Sequence, residues 1–219
     1  MIDTPLIISS MPSLLKGLWL SLIIAGFASI LGIIMGTILG ICQSGCNKII
    51  RHAVAVYVTI IRGTPMLVQI MFIFYVLPQF GIVIPPLWSA VIAIGLNSSA
   101  YVSQIIRSGI SSVPKGQYEA AYVLGFTKFQ TMRYIILPQA VRVVLPALCN
   151  EFVTLVKDSS LASIIGVMEL SKQGSVIRSQ TYDAFTILIV VALMYLPVTS
   201  VLSTIMLKIE KKMKIHAIH

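Results

Sequence analysis

The side chains best suited to chemistry lie in the stretch NEFVTLVKDSSL, which begins at Asn150. Glu151, Thr154 and Asp158 follow helical spacing on one stripe, and Asn150, Thr154 and Lys157 follow it on the adjoining stripe. The surrounding sequence is apolar, and a charge at bilayer depth costs about 2.5 to 3.5 kcal/mol, so it usually marks a site or a path. An arc that carries both signs of charge suits an amino-acid zwitterion.

A structural explanation stands beside this one. Lys157 and Asp158 could pair within the protein or with another subunit and hold helices together, because partly desolvated charges need partners. Lys157 could instead extend its ammonium to the membrane interface. A ligand site and a structural pair are compatible on one helix, so both interpretations remain open.

Two further polar groups lie upstream. One is a stripe spaced by four, three and four residues, which consists of Asn97, Tyr101, Gln104 and Ser108. The other is RGTPMLVQ, where Arg62 and Gln69 are seven residues apart and would share a helix face. Hydrogen bonds inside a helix bundle would satisfy the stripe as well as a ligand would, and Arg62 could anchor a lipid headgroup.

The elements that carry these residues are membrane-spanning by composition. Of the 219 residues, 57% are hydrophobic and only 11% are charged. A bilayer core needs roughly 20 helical residues to cross. Five segments meet this length, at residues 17–41, 53–77, 87–110, 141–167 and 184–207. The first contains small residues at steps of four, which let another helix approach closely: Ala28, Gly32, Gly36 and Gly40.

The basic residues indicate an orientation. Most Lys and Arg fall after segments one and three and in the C-terminal tail, whereas Lys16, Lys172 and Arg178 fall on the opposite side. The positive-inside rule therefore predicts an outside N terminus and an inside C terminus. It also places the long polar segment at residues 111–138 in the cytoplasm. The formal charge of +9 is accounted for by loops beside anionic lipid and predicts no nucleic-acid partner.

This polar segment predicts two short helices. A proline and a glycine interrupt the chain ahead of it, so a helix should start near Gln117 and stop at Gly125. Thr127 and Gln130 have the spacing of a capping box, which predicts a second helix from that point. We expect Pro138 to end it.

The segment also matches the pattern E-A-A-x3-G-x9-I-x-L-P at every fixed position, with Glu119, Ala120, Ala121, Gly125, Ile135, Leu137 and Pro138. This pattern resembles the cytoplasmic loop motif of bacterial ABC importer permeases. IIRGTPMLVQ, LNSSAYVSQIIRSGI and NEFVTLVKDSSLASIIG resemble the branch that handles polar amino acids such as histidine, arginine or glutamine. The likeness covers nearly the whole chain.

The resemblance implies partners and roles. In that family the loop forms coupling helices that sit in a cleft of a separate ATP-binding cassette subunit, so ATP and Mg²⁺ would be bound by the partner and no cofactor by this chain. It also implies a second permease subunit, an extracytoplasmic substrate-binding protein and a bacterial cytoplasmic (inner) membrane location. Family substrate contacts come from segments two, three and four, which points to Thr64, Asn97, Glu151, Lys157 and Asp158.

We therefore expect a single all-α transmembrane permease domain over residues 1–219, with five transmembrane helices. The sequence lacks a G-x4-G-K-[ST] phosphate loop and any cluster suited to metal binding or nucleophilic catalysis, so neither an enzyme nor a metal site is predicted. The alternative function is a proton- or sodium-coupled carrier that works alone, with Glu151 or Asp158 as the ion-linked group.

Overall fold

The computed structural model describes residues 3–45 and 47–215, and its regular secondary structure in these ranges is helical throughout. The α-helices of this part of the chain are α1 (Thr4–Gly45), α2 (Lys48–Gly63), α3 (Met66–Met71), α4 (Pro86–Ser111), α5 (Lys115–Val123), α6 (Lys128–Gln130), α7 (Leu137–Asp158), α8 (Leu170–Thr181) and α9 (Ala184–Ile215). Two π-helical turns, Phe72–Val76 and Thr131–Ile136, and two 3₁₀ turns, Leu77–Phe80 and Ser159–Ile165, continue some of them.

Four helical runs in the described residues are long and apolar enough to cross a membrane: Thr4–Gly45, Pro86–Ser111, Lys128–Ile165 and Ala184–Lys208. A fifth candidate is the pair Lys48–Gly63 and Met66–Phe80, whose axes are bent by 103°. The predicted fold class, an all-α membrane protein, is confirmed. The described residues thus hold four candidate crossings, or the predicted five when this bent pair is counted as one broken span.

The break in this span corrects the prediction of one continuous second segment. Thr64 and Pro65 are both extended, with ψ of 142° and 135°. The ring of Pro65 pushes Thr64, the residue before it, out of helical geometry. Arg62 and Gln69 therefore do not share a helix face, as their spacing suggested. Gln69 instead folds back, and its amide nitrogen lies 2.7 Å from the Thr64 hydroxyl oxygen.

Helices α1 and α4 pack closely along the small-residue stripe, as predicted from its spacing. Its members Ala28, Gly32, Gly36 and Gly40 are all buried. A Cβ atom added at Gly36 would lie 2.5 Å from the Cβ of Val102, which is closer than atoms can approach. Beside this contact, a core built around Ile24, Ile94 and Leu155 joins α1 and α4 to α7.

The polar segment at residues 111–138, which we call the coupling segment after the role that the family resemblance implies, forms a helix, a glycine turn and a second helix, as predicted. Helix α5 ends in a Schellman motif, in which the Phe126 amide donates to the Ala121 carbonyl and the Gly125 amide to the Tyr122 carbonyl. Gly125 has a φ of +77°, a conformation that favours glycine. The Thr127–Gln130 capping box is present, with distances of 2.8 and 3.3 Å.

The prediction that Pro138 ends the second helix is wrong. The helix continues through the π-helical turn Thr131–Ile136 into α7, where Pro138 occupies the first turn. A proline normally clashes with the carbonyl four residues before it. In a π-helix each carbonyl pairs five residues ahead, so this wider turn removes the conflict. The Gln139 side chain also donates to the Ile135 carbonyl at 2.8 Å.

Candidate functional site

A polar cavity of about 520 Å³ lies where the α2–α3 bend faces α4 and α7. Four of the five residues predicted to bind substrate line it: Thr64 from the bend, Asn97 from α4, and Glu151 and Asp158 from α7. These residues are far apart in the sequence, and the α1–α4–α7 core brings their helices together. We call this space the site cavity.

Lys157 is not among the residues that line the site cavity. Its side chain is exposed on a neighbouring face of α7, because successive residues of a helix point about 100° apart. The polar arc on α7 is therefore narrower than the sequence indicated, and the stripe of Glu151, Thr154 and Asp158 is the one that faces the cavity. A substrate-binding role for Lys157 stays a prediction.

Hydrogen bonds fix the neutral side of the cavity. The Gln69 amide donates to the Ile61 carbonyl at 2.8 Å and to the Thr64 hydroxyl at 2.7 Å. Its oxygen accepts from the Asn97 amide at 3.0 Å. Gln69 therefore ties the bend to α4 and sets the orientation of both Thr64 and Asn97.

The charged side of the cavity combines two acidic groups and one basic group. The Glu151 carboxylate accepts a hydrogen bond from the Ser98 hydroxyl at 2.9 Å, and Asp158 lies about two helical turns further along the same cavity-facing stripe of α7. The Arg62 guanidinium lies 5.1 Å from the centre of the Tyr101 ring, within the range of a cation–π contact. The cavity thus presents carboxylates to a cation and a guanidinium to an anion.

Sequence reasoning did not single out several residues of this cavity. Tyr101 and Thr154 were recognised as members of polar stripes, but Arg62 was weighed only as a face-sharing or headgroup residue. Met66 and Leu161 supply apolar wall and carried no polar signal at all. The Gly-Thr-Pro sequence that follows Arg62 does indicate a cavity at this position, because a proline that breaks a membrane helix frees backbone and side-chain groups to face a cavity.

The coupling segment presents an apolar surface. Its four most exposed large apolar side chains have 73 to 83% of their area accessible: Tyr122, Val123, Leu124 and Phe129. Of the residues in the matched motif, Glu119, Ala120, Gly125 and Pro138 are exposed, Ile135 and Leu137 are half-buried, and Ala121 is fully buried. The motif therefore combines residues that shape the turn with residues that lie on its surface.

One further buried carboxylate is not predicted from the sequence. Glu169, which lies between the segments predicted at residues 141–167 and 184–207, is fully buried at the start of α8. It accepts hydrogen bonds from the backbone amides of Ser171 and Lys172, at 2.9 and 2.7 Å, and from the hydroxyls of Ser21 and Tyr195, at 3.2 and 3.1 Å. Burial raises the pKa of the Glu169 carboxyl, and these hydrogen bonds oppose that rise.

Within the described residues there is no group of three or more His, Cys, Asp or Glu side chains that could hold a metal ion. Cys46, one of the three cysteines of the chain, lies outside the described residues.

Comparison with known proteins identifies the family. Residues 28–215 match the model of the binding-protein-dependent transport system inner membrane component. The glutamine transport system permease protein GlnP of Escherichia coli (strain K12) is 39% identical over 212 residues, which cover 94% of this chain and 95% of that protein. The arginine transport system permease protein ArtQ of Bacillus subtilis (strain 168) is 36% identical over 214 residues, covering 97% and 98%.

Solved structures agree with these relatives. The crystal structure of an amino acid ABC transporter with histidines matches with a TM-score of 0.91 and 38% identity, over 97% of this chain and 99% of that chain. An inward-facing MetNI methionine ABC transporter matches with a TM-score of 0.80 at 18% identity, which shows a shared fold. The chain therefore belongs to the family of binding-protein-dependent transport system inner membrane components, the permeases of ABC transporters.

Proposed function

We propose that this chain is the transmembrane permease subunit of an ATP-driven importer for polar amino acids. It lines the translocation path and couples that path to a separate ATP-binding subunit. The relatives that support the substrate class carry glutamine or arginine in their names, and the site cavity has the mixed charges that a zwitterion requires.

The observation that carries the proposal is a continuous helical run. Lys128–Ile165 begins inside the coupling segment, at the capping box, and reaches the site cavity with Glu151 and Asp158. Lys128 and Glu151 are 23 positions apart, which corresponds to about 35 Å of α-helix. A displacement of the coupling segment would therefore be transmitted to the two carboxylates through hydrogen-bonded backbone.

In the cavity the roles follow from charge. Glu151 and Asp158 receive the substrate ammonium, and Arg62 receives the carboxylate, since a guanidinium matches a carboxylate with two parallel hydrogen bonds. Asn97 and Thr64, held by Gln69, supply neutral polar contacts. Charge complementarity of this kind selects the ammonium and carboxylate groups that all amino acids share. The preference for one amino-acid side chain therefore depends on the other residues that line the site cavity.

The partners follow from the surfaces and from the family. The exposed apolar face of the coupling segment docks on the ATP-binding cassette subunit, which holds ATP and Mg²⁺. A second permease subunit completes the path, and an extracytoplasmic binding protein delivers the substrate. This arrangement requires the coupling segment in the cytoplasm, with the N terminus outside and the C terminus inside the cytoplasmic (inner) membrane.

The decisive experiment changes Gly125 in the reconstituted importer. Gly125→Val places a branched side chain at a φ of +77° and should disrupt the Schellman turn, so we expect substrate-stimulated ATP hydrolysis and uptake to be lost together. Uptake is measured in proteoliposomes and subunit assembly by co-purification.

Two control substitutions separate coupling from general damage. Gly81→Val imposes similar strain, at a φ of +80°, in the turn between α3 and α4 and should leave coupling intact. Gly116→Ala adds a methyl group within α5, where nothing lies within 4 Å, and should be silent. Normal coupling in Gly125→Val, or ion-driven uptake by the permease without an ATPase, would contradict the proposal.

A further inference from the structure

Three cavities meet at Arg62 and Tyr101, and both residues line all three. The first is the site cavity. The second, of about 360 Å³, adds Gln104 and Ser108 to Glu151 and Arg62. The third, of about 440 Å³, is lined by the polar residues Gln43, Thr59, Arg62, Tyr101, Gln104 and Arg107, and we call it the basic cavity.

The net charge of the residues that line the cavities changes from negative to positive along α4, towards the coupling segment. Asn97 lines the site cavity, and Arg107 lines the basic cavity ten positions closer to the coupling segment, which is about 15 Å along the helix. Two carboxylates and one guanidinium line the site cavity, giving a formal charge of −1. Two guanidiniums and no carboxylate, among the described residues, line the basic cavity, giving +2.

One wall of the basic cavity carries no charge and is held in place by a hydrogen bond between side chains. Gln104 donates to the Gln43 side-chain oxygen at 3.0 Å, which ties α4 to α1, and Gln43 is buried. This amide pair adds no negative charge to offset the two arginines. Both arginine side chains are solvent-exposed, and their positive potentials add in the concave space that they line.

We propose that the basic cavity is a second binding site, for an anion of the carboxylate or phosphate class. Guanidinium groups bind both kinds of anion through paired N–H donors. The proposal that an anion binds here rests only on the arrangement of charges in the basic cavity. Its use as a second station, which takes the carboxylate of an amino acid that has left Glu151 and Asp158, rests on the proposed function. Arg62 belongs to both cavities and can hold that carboxylate on either side.

The test measures the potential in each cavity by thiol chemistry. In the full-length chain, with Cys42, Cys46 and Cys149 replaced by Ser, Thr59→Cys reports on the basic cavity and Thr154→Cys on the site cavity. Each is treated with an anionic sulfonate and a cationic trimethylammonium methanethiosulfonate. We expect the anionic-to-cationic rate ratio to be about tenfold higher at Thr59→Cys than at Thr154→Cys.

Arg107 provides the matched controls. Adding Arg107→Gln should remove most of this preference, whereas Arg107→Lys, which keeps the charge, should retain it. Equal rate ratios at the two positions, or a preference that Arg107→Gln leaves unchanged, would overturn the proposal.

Protection of Thr59→Cys from the anionic reagent identifies the anion, because a bound anion both occupies the cavity and lowers its positive potential. Slower labelling with L-arginine or L-glutamine, but not with their decarboxylated amines, supports a carboxylate ligand. Slower labelling with inorganic phosphate supports free phosphate, and slower labelling only in nanodiscs that contain anionic lipid supports a headgroup. Equal protection by the amines and the amino acids would overturn anion binding. Labelling requires neither ATPase nor transport, so its outcome is independent of the test at Gly125.

Discussion

Glu151 and Glu169 are both glutamates removed from bulk solvent, yet their surroundings are opposite. Glu169 has no accessible surface and accepts four hydrogen bonds from backbone and side-chain donors. Glu151 accepts one hydrogen bond from a donor in the described residues, Ser98, and borders a cavity of about 520 Å³. The first carboxylate is saturated by the fold, and the second has acceptor capacity that faces open space.

This difference separates a structural carboxylate from a ligand-binding one better than the residue type does. A carboxylate offers about four lone-pair sites, and Glu169 uses them to cap α8 and hold it against α1 and α9. Glu151 keeps sites available on the cavity side, next to Asp158. We therefore expect changes at Glu151 to affect transport and changes at Glu169 to affect stability.

The largest effect should follow from neutralising the cavity. Glu151→Gln and Asp158→Asn each remove a charged partner of the ammonium, and loss of such a contact costs about 2 kcal/mol or more, a roughly 30-fold or larger rise in KM for uptake. The melting temperature in detergent should change little. Unchanged uptake kinetics in both variants would mean that these carboxylates have only a structural role.

The next largest effect should appear at Glu169 and only in stability. Glu169→Ala leaves two backbone amides and two hydroxyls without their acceptor, so we expect the free energy of unfolding to fall by about 2 to 3 kcal/mol. Glu169→Gln retains an acceptor and should lose less. Denaturation in detergent measures both variants. A loss of uptake in Glu169→Gln without any loss of stability would reverse our assignment of the two glutamates.

The pH dependence of Glu169 should be smaller and has a defined sign. Because burial raises the pKa of this carboxyl in the folded state, the folded protein binds its proton more tightly than the unfolded chain does. The resulting stabilisation is present below the ordinary pKa of Glu and is lost as the pH rises through the raised pKa. The melting temperature of wild type should therefore fall relative to that of Glu169→Gln between acidic and neutral pH. A constant difference would show that the hydrogen bonds fully offset burial.

The smallest effects should come from single donors. Ser98→Ala removes the donor to Glu151, and Tyr195→Phe removes one of the donors to Glu169, so each should cost about 1 kcal/mol. For Ser98→Ala we expect the cost in substrate affinity, and for Tyr195→Phe in melting temperature. The comparison weakens if both changes affect the same property.

The sequence predicted the membrane class, the coupling segment and part of the site cavity because each has a local signature. Apolar length, a capping box, and polar stripes at helical spacing are all read from neighbouring residues. Asn97, Glu151 and Asp158 each lay in such a stripe, whereas Thr64 was indicated only by the family resemblance, and the structure brings all four together.

The remaining features depend on contacts between distant segments. The burial of Glu169 requires Ser21 from α1 and Tyr195 from α9, which the sequence does not place beside it. The helical continuation through Pro138 depends on a π-helical turn that no residue pattern announced. The exclusion of Lys157 from the cavity depends on the rotation of α7 against α4, which spacing alone leaves undetermined.

The contact between α1 and α4 has an evolutionary consequence. Gly36 has no side chain that could be shortened, so any substitution that makes more room in this contact must be on α4. A larger residue at Gly36 would need a smaller one at Val102, whereas a smaller residue at Val102 needs nothing from Gly36. A Cβ at Gly36 would also lie 2.7 Å from the backbone carbonyl oxygen of Ser99, which no substitution removes, so a smaller residue at Val102 would not by itself make room and Gly36 should be the less replaceable of the two.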